Sequence, residues 1–198
     1  KVKMVSRGIL ILSLCLSFPL MAEERKVQLA LEEAPFAIRY EVELSDKTKV
    51  LRVMKFNTHE LSFKAEVGSY LMRARSFDKR GLSSPWTAQE VLEIPPATPM
   101  VEKAPPAETL ADEKSLKAKL EFQWKPSVGA AHYIIETLDA EGKVTSSVTS
   151  KETAFSSEVP PGIYSFAIRA VGKDDVISES AQNLKFVVKG AKLKPVEF

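Results

Sequence analysis

The chain has 198 residues, 44% of them hydrophobic and 27% charged, which suits one large or two small globular domains and excludes an intrinsically disordered protein. Its 28 basic and 26 acidic residues give a formal net charge of +2. Nucleic-acid binding needs a clustered basic surface, and this near-neutral balance offers no electrostatic case for a nucleic-acid partner.

The first 22 residues have the pattern of an export signal. Basic residues precede an apolar run over 8–20, and Ala22 stands just before an abrupt change to acidic residues. The run is shorter than the roughly 20 residues of a transmembrane helix. We therefore predict a signal peptide over 1–22 and an exported protein, either periplasmic or at the cell surface. Its membrane contact would be limited to this segment.

Three fates of this segment stay open: cleavage after Ala22, retention as a membrane anchor, or lipidation at Cys15, the only cysteine of the chain. In position, Cys15 resembles the site of a bacterial lipoprotein. However, residues 12–14 place leucine where that motif has a small residue, which favours an apolar filler role for Cys15. If cleavage follows Ala22, the mature chain has no cysteine, so its stability must come from its cores.

Two segments of the first half, residues 36–44 and 68–76, alternate apolar and polar residues. This period of two is typical of a strand with one buried face. The series that we predict to be buried is Ile38, Tyr40, Val42, Leu44, Tyr70, Met72 and Ala74, and the outward series is Arg39, Glu41, Glu43, Arg73 and Arg75.

Five of the twelve prolines fall within residues 95–106. Because proline fixes φ and cannot donate to a sheet ladder, we predict an extended, semi-rigid connector over 95–109. The second half then repeats the alternation over 120–124, 133–137 and 164–170. Short strands separated by turn residues at such spacing predict an all-β sandwich.

The two halves repeat one another at a spacing of about ninety residues. Residues 37–44 parallel 131–138, and the series Val-Gly-Ser-Tyr ending at Tyr70 parallels Pro-Gly-Ile-Tyr ending at Tyr164. We therefore predict two homologous domains, preceded and followed by short segments. The predicted domains cover 23–94 and 110–189, and a C-terminal tail covers 190–198.

At these residues the chain resembles the fibronectin type III family. Residues 70–86, which end at Trp86, resemble the penultimate strand of that family, the turn after it and the start of the last strand. Residues 120–136 resemble its second and third strands, with Trp124 as the buried tryptophan of the second. The resemblance implies two tandem fibronectin type III-like (immunoglobulin-like) β-sandwiches of seven strands each, with Greek-key connections.

The first copy departs from this pattern in three ways. Residues 23–35 are too few for two strands and their turn, so its first strand is either absent or supplied from elsewhere, and an open edge there could accept a strand from a partner. The copy has no tryptophan matching Trp124. The integrin-binding tripeptide of the family is missing, because the loop at 78–81 has the wrong order.

We find no constellation of residues that would carry catalysis, a cofactor or a metal. His59 and His132 do not stand at metal-ligand spacing from another ligand, and no nucleotide-binding or nucleophile motif occurs. The sequence therefore predicts a protein that is not an enzyme and that uses no cofactor.

Candidate partner-binding residues lie on the outward faces of both copies. In the first copy they are Arg73 and Arg75, which form either a cross-strand ion ladder or a charged recognition face, and Lys79 and Arg80 in the following loop. In the second copy, alternation predicts an exposed apolar patch, packed either within the protein or against a partner. That predicted patch comprises Ile134, Leu138, Ala167 and Val171.

These observations favour an exported protein–protein interaction or scaffold module, an envelope-complex accessory or adhesin-like protein whose partner lies in the cell envelope or at the cell surface. Two alternatives from other classes are a carbohydrate- or peptidoglycan-binding accessory protein, which needs exposed aromatics such as Phe77 and Trp86, and a small hydrolase on a β-sandwich.

Overall fold

The computed structural model describes residues 24–181 and 184–191, and its regular structure consists of β-strands and one short 3-10 turn at Lys173–Asp175. The strands are β1 (Glu24–Ala30), β2 (Ala37–Ser45), β3 (Val50–Phe56), β4 (Glu60–Glu66), β5 (Gly68–Asp78), β6 (Glu90–Ile94), β7 (Met100–Lys103), β8 (Glu108–Leu110), β9 (Ala118–Lys125), β10 (His132–Leu138), β11 (Val144–Ser150), β12 (Ala154–Val159), β13 (Gly162–Val171) and β14 (Leu184–Lys189).

The first sandwich consists of a two-stranded sheet, β1-β4, and a four-stranded sheet in the order β3-β2-β5-β6. All pairings within these sheets are antiparallel. Val42 and Leu44 of β2 pack with Leu61 and Phe63 of β4, because alternate residues of each strand point between the sheets. This arrangement confirms the predicted β-class of the first copy.

The second sandwich has a three-stranded sheet, β12-β9-β7, and a five-stranded sheet, β11-β10-β13-β14-β8. Its core is aromatic. The ring centroid of Phe122 lies 4.5 Å from that of Phe166 and 5.4 Å from that of Phe186, and Trp124 is only 1% exposed. Trp124 therefore lies buried on β9, the strand that the resemblance identified with the family's second strand.

The predicted connector over 95–109 is wrong in its second part. Residues 100–103 form β7, which pairs with β9, and residues 108–110 form β8, which runs parallel to β14. Pro105 and Pro106 lie between them, where the chain passes from one sheet to the other and needs no ladder hydrogen bond. These two prolines therefore lie inside the second sandwich, between its strands β7 and β8.

The prediction for Ile38 is also wrong, because that residue is 56% exposed. The pairing of β2 with β5 is irregular between Ala37 and Arg39, so the alternation breaks at that point. From Tyr40 onward the predicted inward series of β2 is buried. The irregularity turns Ile38 outward at the end of the sandwich where the loops after β1 and β5 meet.

Two tyrosine contacts recur in both sandwiches. The hydroxyl of Tyr70 donates to the carbonyl of Glu66 at 3.0 Å, and that of Tyr164 donates to the carbonyl of Pro160 at 3.1 Å. A tyrosine that bonds to backbone a few residues upstream marks this corner in immunoglobulin-like sandwiches. The two units therefore share a local contact as well as a strand order.

Val67 of the first sandwich packs into the second. It is 5% exposed, and a Cβ added at Gly172 would lie 2.3 Å from one of its methyl carbons. A Cβ added at Gly129 would lie 2.2 Å from the other methyl. The backbone N–H of Ser69 donates to Oδ2 of Asp174 at 3.3 Å, also across this junction. The absence of side chains at the two glycines makes the close approach of Val67 possible.

Candidate functional site

The charged face of the first sandwich is an ion ladder. Nε of Arg73 lies 2.8 Å from Oε1 of Glu43, and Nη2 of Arg75 lies 2.6 Å from Oε2 of Glu41. Both carboxylate side chains are less than 10% exposed, whereas the two arginines are about one-third exposed. The structure therefore contains the predicted cross-strand ladder, with its charges satisfied within the chain.

Arginine side chains also lie against both candidate sugar-binding aromatics. The guanidinium carbons of Arg73 and Arg75 lie 4.8 and 4.4 Å from the ring centroid of Trp86. Those of Arg39 and Arg75 lie 4.2 and 5.0 Å from the centroid of Phe77. A sugar-stacking site needs an open aromatic face, and each of these rings already makes cation–π contacts within the chain.

The predicted apolar patch of the second sandwich is not an exposed patch. Ala167 and Val171 are only 3% and 2% exposed, and Ile134 and Leu138 are half-buried. The Arg169–Glu136 ion pair, with a 2.5 Å contact, lies on the same two strands and contributes charge to this face. The exposure predicted for Ala167 and Val171 is therefore wrong. Partner binding at Ile134 and Leu138 stays a prediction.

Among the exposed apolar side chains of the described residues, the largest lies in the loop between β1 and β2. Phe36 is 90% exposed and has a φ of 63°. The N–H of Ala37 donates to the carbonyl of Ala34 at 3.1 Å, which places Pro35 and Phe36 at the two central positions of a tight turn. A positive φ at the third position of such a turn favours glycine or asparagine, so phenylalanine is strained there.

Phe36 and Ile38 line the same surface hollow, of about 510 Å³, as Lys79 and Arg80. Leu82, which is 60% exposed, lies in the same loop as the two basic residues. The structure thus brings the predicted Lys79 and Arg80 together with apolar residues that we did not predict to be exposed. We call this surface the loop end, and it comprises Phe36, Ile38, Lys79, Arg80 and Leu82.

Asp78 holds the basic half of the loop end in place. Its Oδ1 accepts from the backbone N–H groups of Leu82 and Arg80, at 2.9 Å each, and its Oδ2 lies 2.9 Å from Nη2 of Arg80. These contacts, led by the backbone hydrogen bond from Leu82, hold the pKa of Asp78 below its ordinary value. The carboxylate therefore orders a loop whose Lys79 side chain projects into solvent.

A second hollow, of about 700 Å³, lies between β1 and β6 of the first sandwich. Leu29, Leu31 and Leu92 are among its apolar lining, and all three are only partly buried. Its rim includes Glu32, Glu33 and Glu90. We call this feature the β1–β6 groove.

A further group of apolar residues, two of them exposed and one half-buried, lies at the opposite end of the same sandwich. Leu51, Leu71 and Val91 line a hollow of about 740 Å³ that also includes Lys173 and Asp174 of the second sandwich. Strand pairing places Val91 beside Leu71 on the outward face. The signal was present in the sequence, because Leu71 falls in the outward series with Arg73 and Arg75.

Two further findings concern the described residues alone. Within residues 24–181 and 184–191, no group of three or more His, Cys, Asp or Glu side chains is arranged to hold a metal ion. In that same part of the chain, no helix is long and apolar enough to cross a membrane. The predicted signal peptide, with Cys15, lies outside the described residues.

No family model and no curated protein matches the chain. Among solved structures, it is similar to the fibronectin(III)-like modules of CbhA from Clostridium thermocellum, at 16% identity and a TM-score of 0.37 over 89% of this chain and 91% of that one. It is also similar to a two-domain fibronectin type III segment of chicken tenascin, at 13% identity and a TM-score of 0.48 over 84% and 94%. A third similar structure contains the FN1–FN3 domains of chicken CNTN1, at 12% identity and a TM-score of 0.34 over 85% of this chain and 61% of that one.

At TM-scores below 0.5 these similarities carry no argument about function. The strand order of this chain is the stronger observation. In the first sandwich the pair β1-β4 faces the sheet β3-β2-β5-β6, and the second sandwich repeats this order as β9-β12 facing β11-β10-β13-β14. Together with the repeated tyrosine contact, this order leads to one conclusion: both sandwiches have the fibronectin type III fold.

Proposed function

We propose that this protein is an exported, non-enzymatic binding module of the cell envelope or cell surface, and that the loop end of its first sandwich contacts a partner protein. The leader-like first 22 residues support export. An accessory role in an envelope complex or an adhesin-like role fits two linked sandwiches that present loops at one end.

One observation carries the proposal, namely the placement of Phe36. A left-handed backbone costs a bulky L-residue about 1–2 kcal/mol, and a 90% exposed aromatic ring regains little of this by packing within the chain. Glycine or asparagine would fill the turn at lower cost. A strained and exposed phenylalanine beside Lys79 and Arg80 is therefore best explained by contacts made to another molecule.

The ring offers a substantial share of a binding free energy. Burying a phenylalanine side chain is worth about 1.5–3 kcal/mol, which corresponds to about a 10- to 150-fold change in affinity. The two basic side chains add electrostatic steering toward an acidic surface rather than much affinity. We therefore expect an apolar pocket with acidic residues around it on the partner.

The test is chemical crosslinking and capture from native envelopes with the wild-type protein, with Phe36→Asn and with Ile163→Asn. Asn tolerates the backbone of position 36, so the first variant should be as stable as the wild type or more stable. Ile163 is a matched control, because it is 54% exposed but lies in the second sandwich. The proposal expects one captured protein to be lost with Phe36→Asn and kept with Ile163→Asn.

Equal capture by all three proteins would contradict the proposed site. Retention on purified peptidoglycan, unaffected by Phe36→Asn, would favour the carbohydrate-binding alternative instead. Cell fractionation with N-terminal sequencing of the recovered protein tests the export part separately, and a chain found in the cytosol would refute it.

A further inference from the structure

Within the described part of the chain, the first sandwich has no strand equivalent to β7, which completes one sheet of the second sandwich. In the second sandwich, β9 lies between β12 and β7. In the first, the equivalent strand β1 pairs with β4 alone among the described residues. One edge of β1 is therefore unpaired within residues 24–181 and 184–191.

Hydrogen bonding shows which backbone groups of β1 face that edge. Leu31 donates its N–H to the carbonyl of His59, on the β4 side. Because successive residues of a strand point their backbone groups in opposite directions, the N–H and C=O groups of Gln28 and Ala30 face away from β4. The side chains of both residues are exposed.

The second sandwich shows what occupies this position in the same fold. Trp124 donates its N–H to the carbonyl of Thr153, which is the counterpart of the Leu31–His59 hydrogen bond. On the edge of β9 that faces away from β12, β9 pairs with β7. After β7 the chain crosses to the other sheet, where it forms β8 beside β14. The occupant there is an extended segment that links the two sheets.

In the first sandwich, the β1–β6 groove lies along the corresponding path. Leu31 stands where the second sandwich has Trp124, and it is only partly buried, whereas Trp124 is 1% exposed. Leu29 and Leu92 are also left partly uncovered. A smaller side chain and an unpaired strand together account for a hollow of about 700 Å³, a volume typical of ligand sites.

The charge of the groove indicates the chemistry of its occupant. Glu32, Glu33 and Glu90 are exposed on its rim, and none of them forms an ion pair with a Lys or Arg side chain of the described residues. The basic residue in the lining, Arg75, is bound to Glu41. The rim is therefore acidic and complements a basic segment.

We infer that the β1–β6 groove accepts an extended, basic segment of a partner protein, which adds as a strand to the open edge of β1 and inserts alternate apolar side chains over Leu29, Leu31 and Leu92. The main-chain groups of Gln28 and Ala30 bind its backbone. The acidic rim binds its lysine or arginine side chains. This site is separate from the loop end and does not depend on it.

The probe is a fluorescein-labelled ten-residue peptide of alternating lysine and valine, with a glutamate–valine peptide of equal length as its control. Fluorescence anisotropy should show binding of the first peptide and about tenfold or weaker binding of the second. Ala30→Pro removes one N–H that faces the edge without removing a hydrogen bond to β4, so it should weaken lysine–valine binding about tenfold or more. Ala30→Thr keeps that N–H and should bind like the wild type.

Hydrogen exchange supplies a readout that does not rely on a variant. The amides of Gln28 and Ala30 should exchange fast in the free protein and slowly with the lysine–valine peptide. Glu32→Lys with Glu33→Lys should weaken that peptide and strengthen the glutamate–valine peptide. Phe36→Asn should leave both affinities unchanged, which separates this site from the proposed function.

Four results would overturn the inference. The first two are that neither peptide binds, or that Ala30→Pro binds the lysine–valine peptide as tightly as the wild type does. The third is slow exchange of the Gln28 and Ala30 amides in the free protein, because the chain's own residues then cover the edge. The fourth is protection of these amides from exchange only when the chain associates with itself.

Discussion

The contact of Val67 with Gly172 predicts a specific non-additivity between two substitutions. Val67→Ala removes two buried methyl groups, which costs about 1.6 kcal/mol in burial alone and more if a cavity remains. Gly172→Ala places a Cβ 2.3 Å from a Val67 methyl carbon and 3.0 Å from the carbonyl oxygen of Gly129. Overpacking of this kind costs about 1–3 kcal/mol.

If the two effects were independent, the double variant would lose about 3–5 kcal/mol. We expect less, because the methyl added at Gly172 occupies space that Val67→Ala vacates. The coupling free energy should be about 1–2 kcal/mol in favour of the double variant. The carbonyl of Gly129 remains close in every variant, so recovery should be partial.

Urea unfolding measures all four proteins of this cycle. The chain has two tryptophans, Trp86 in the first sandwich and Trp124 in the second, so fluorescence follows both units. Gly190→Ala serves as a control, because a Cβ there would meet nothing within 4 Å. Strictly additive losses would refute the packing of Val67 between the sandwiches.

Three further predictions follow from the buried and charged groups. Glu41→Gln should lower the free energy of unfolding by about 1–3 kcal/mol in a urea titration, because Arg75 loses its carboxylate partner. As a control, Glu102→Gln removes the carboxylate of an exposed ion pair and should change the same free energy by less than about 0.5 kcal/mol. Trp124→Leu should cost about 2–4 kcal/mol through a cavity in the second core, measured as a lower thermal midpoint. Hydrogen bonds, led by the one from the hydroxyl of Thr48, lower the pKa of Asp46 from 3.8 to about 2. The stabilising contribution of this carboxylate is therefore present above about pH 4 and is lost as the pH falls toward about 2. In that pH window the free energy of unfolding should decline less steeply in Asp46→Asn than in the wild type.

Alternation along the strands was sufficient to predict much of this architecture. It gave the inward series Tyr40, Val42 and Leu44 and the outward series with Arg73 and Arg75, whereas the expectation that their strands are neighbours came from the family resemblance. Both series depend only on which side of a strand a residue occupies. That information is local, so the sequence contains it.

Whether distant parts of the chain cover a residue on a given side of a strand is not local information, and the burial predictions failed where it mattered. Val171 lies on the predicted outward series, yet it is buried at the end of β13, where the chain reaches Gly172 and the junction. Ile38 lies on the predicted inward series, yet the irregular pairing beside it exposes it. Proline content likewise suggested a connector over 95–109, because it gave no sign that β7 and β8 would pair with distant strands.

The loop end was only half predictable for the same reason. Lys79 and Arg80 could be named from loop chemistry, whereas the exposure of Phe36 depends on a positive φ in a tight turn. The Pro35–Phe36 pair carries a weak sequence signal, since proline commonly occupies the second position of such a turn. The residue after it then stands where glycine or asparagine is usual.

Site-specific photocrosslinking in living cells shows whether position 36 touches a partner protein. A photoreactive amino acid is placed at position 36, or at position 163 as an exposed reference in the second sandwich, and is irradiated in the native envelope. We expect one discrete crosslinked protein from position 36 and none from position 163. The same crosslinked proteins from both positions, or none from position 36, would contradict a partner bound at the loop end of the first sandwich.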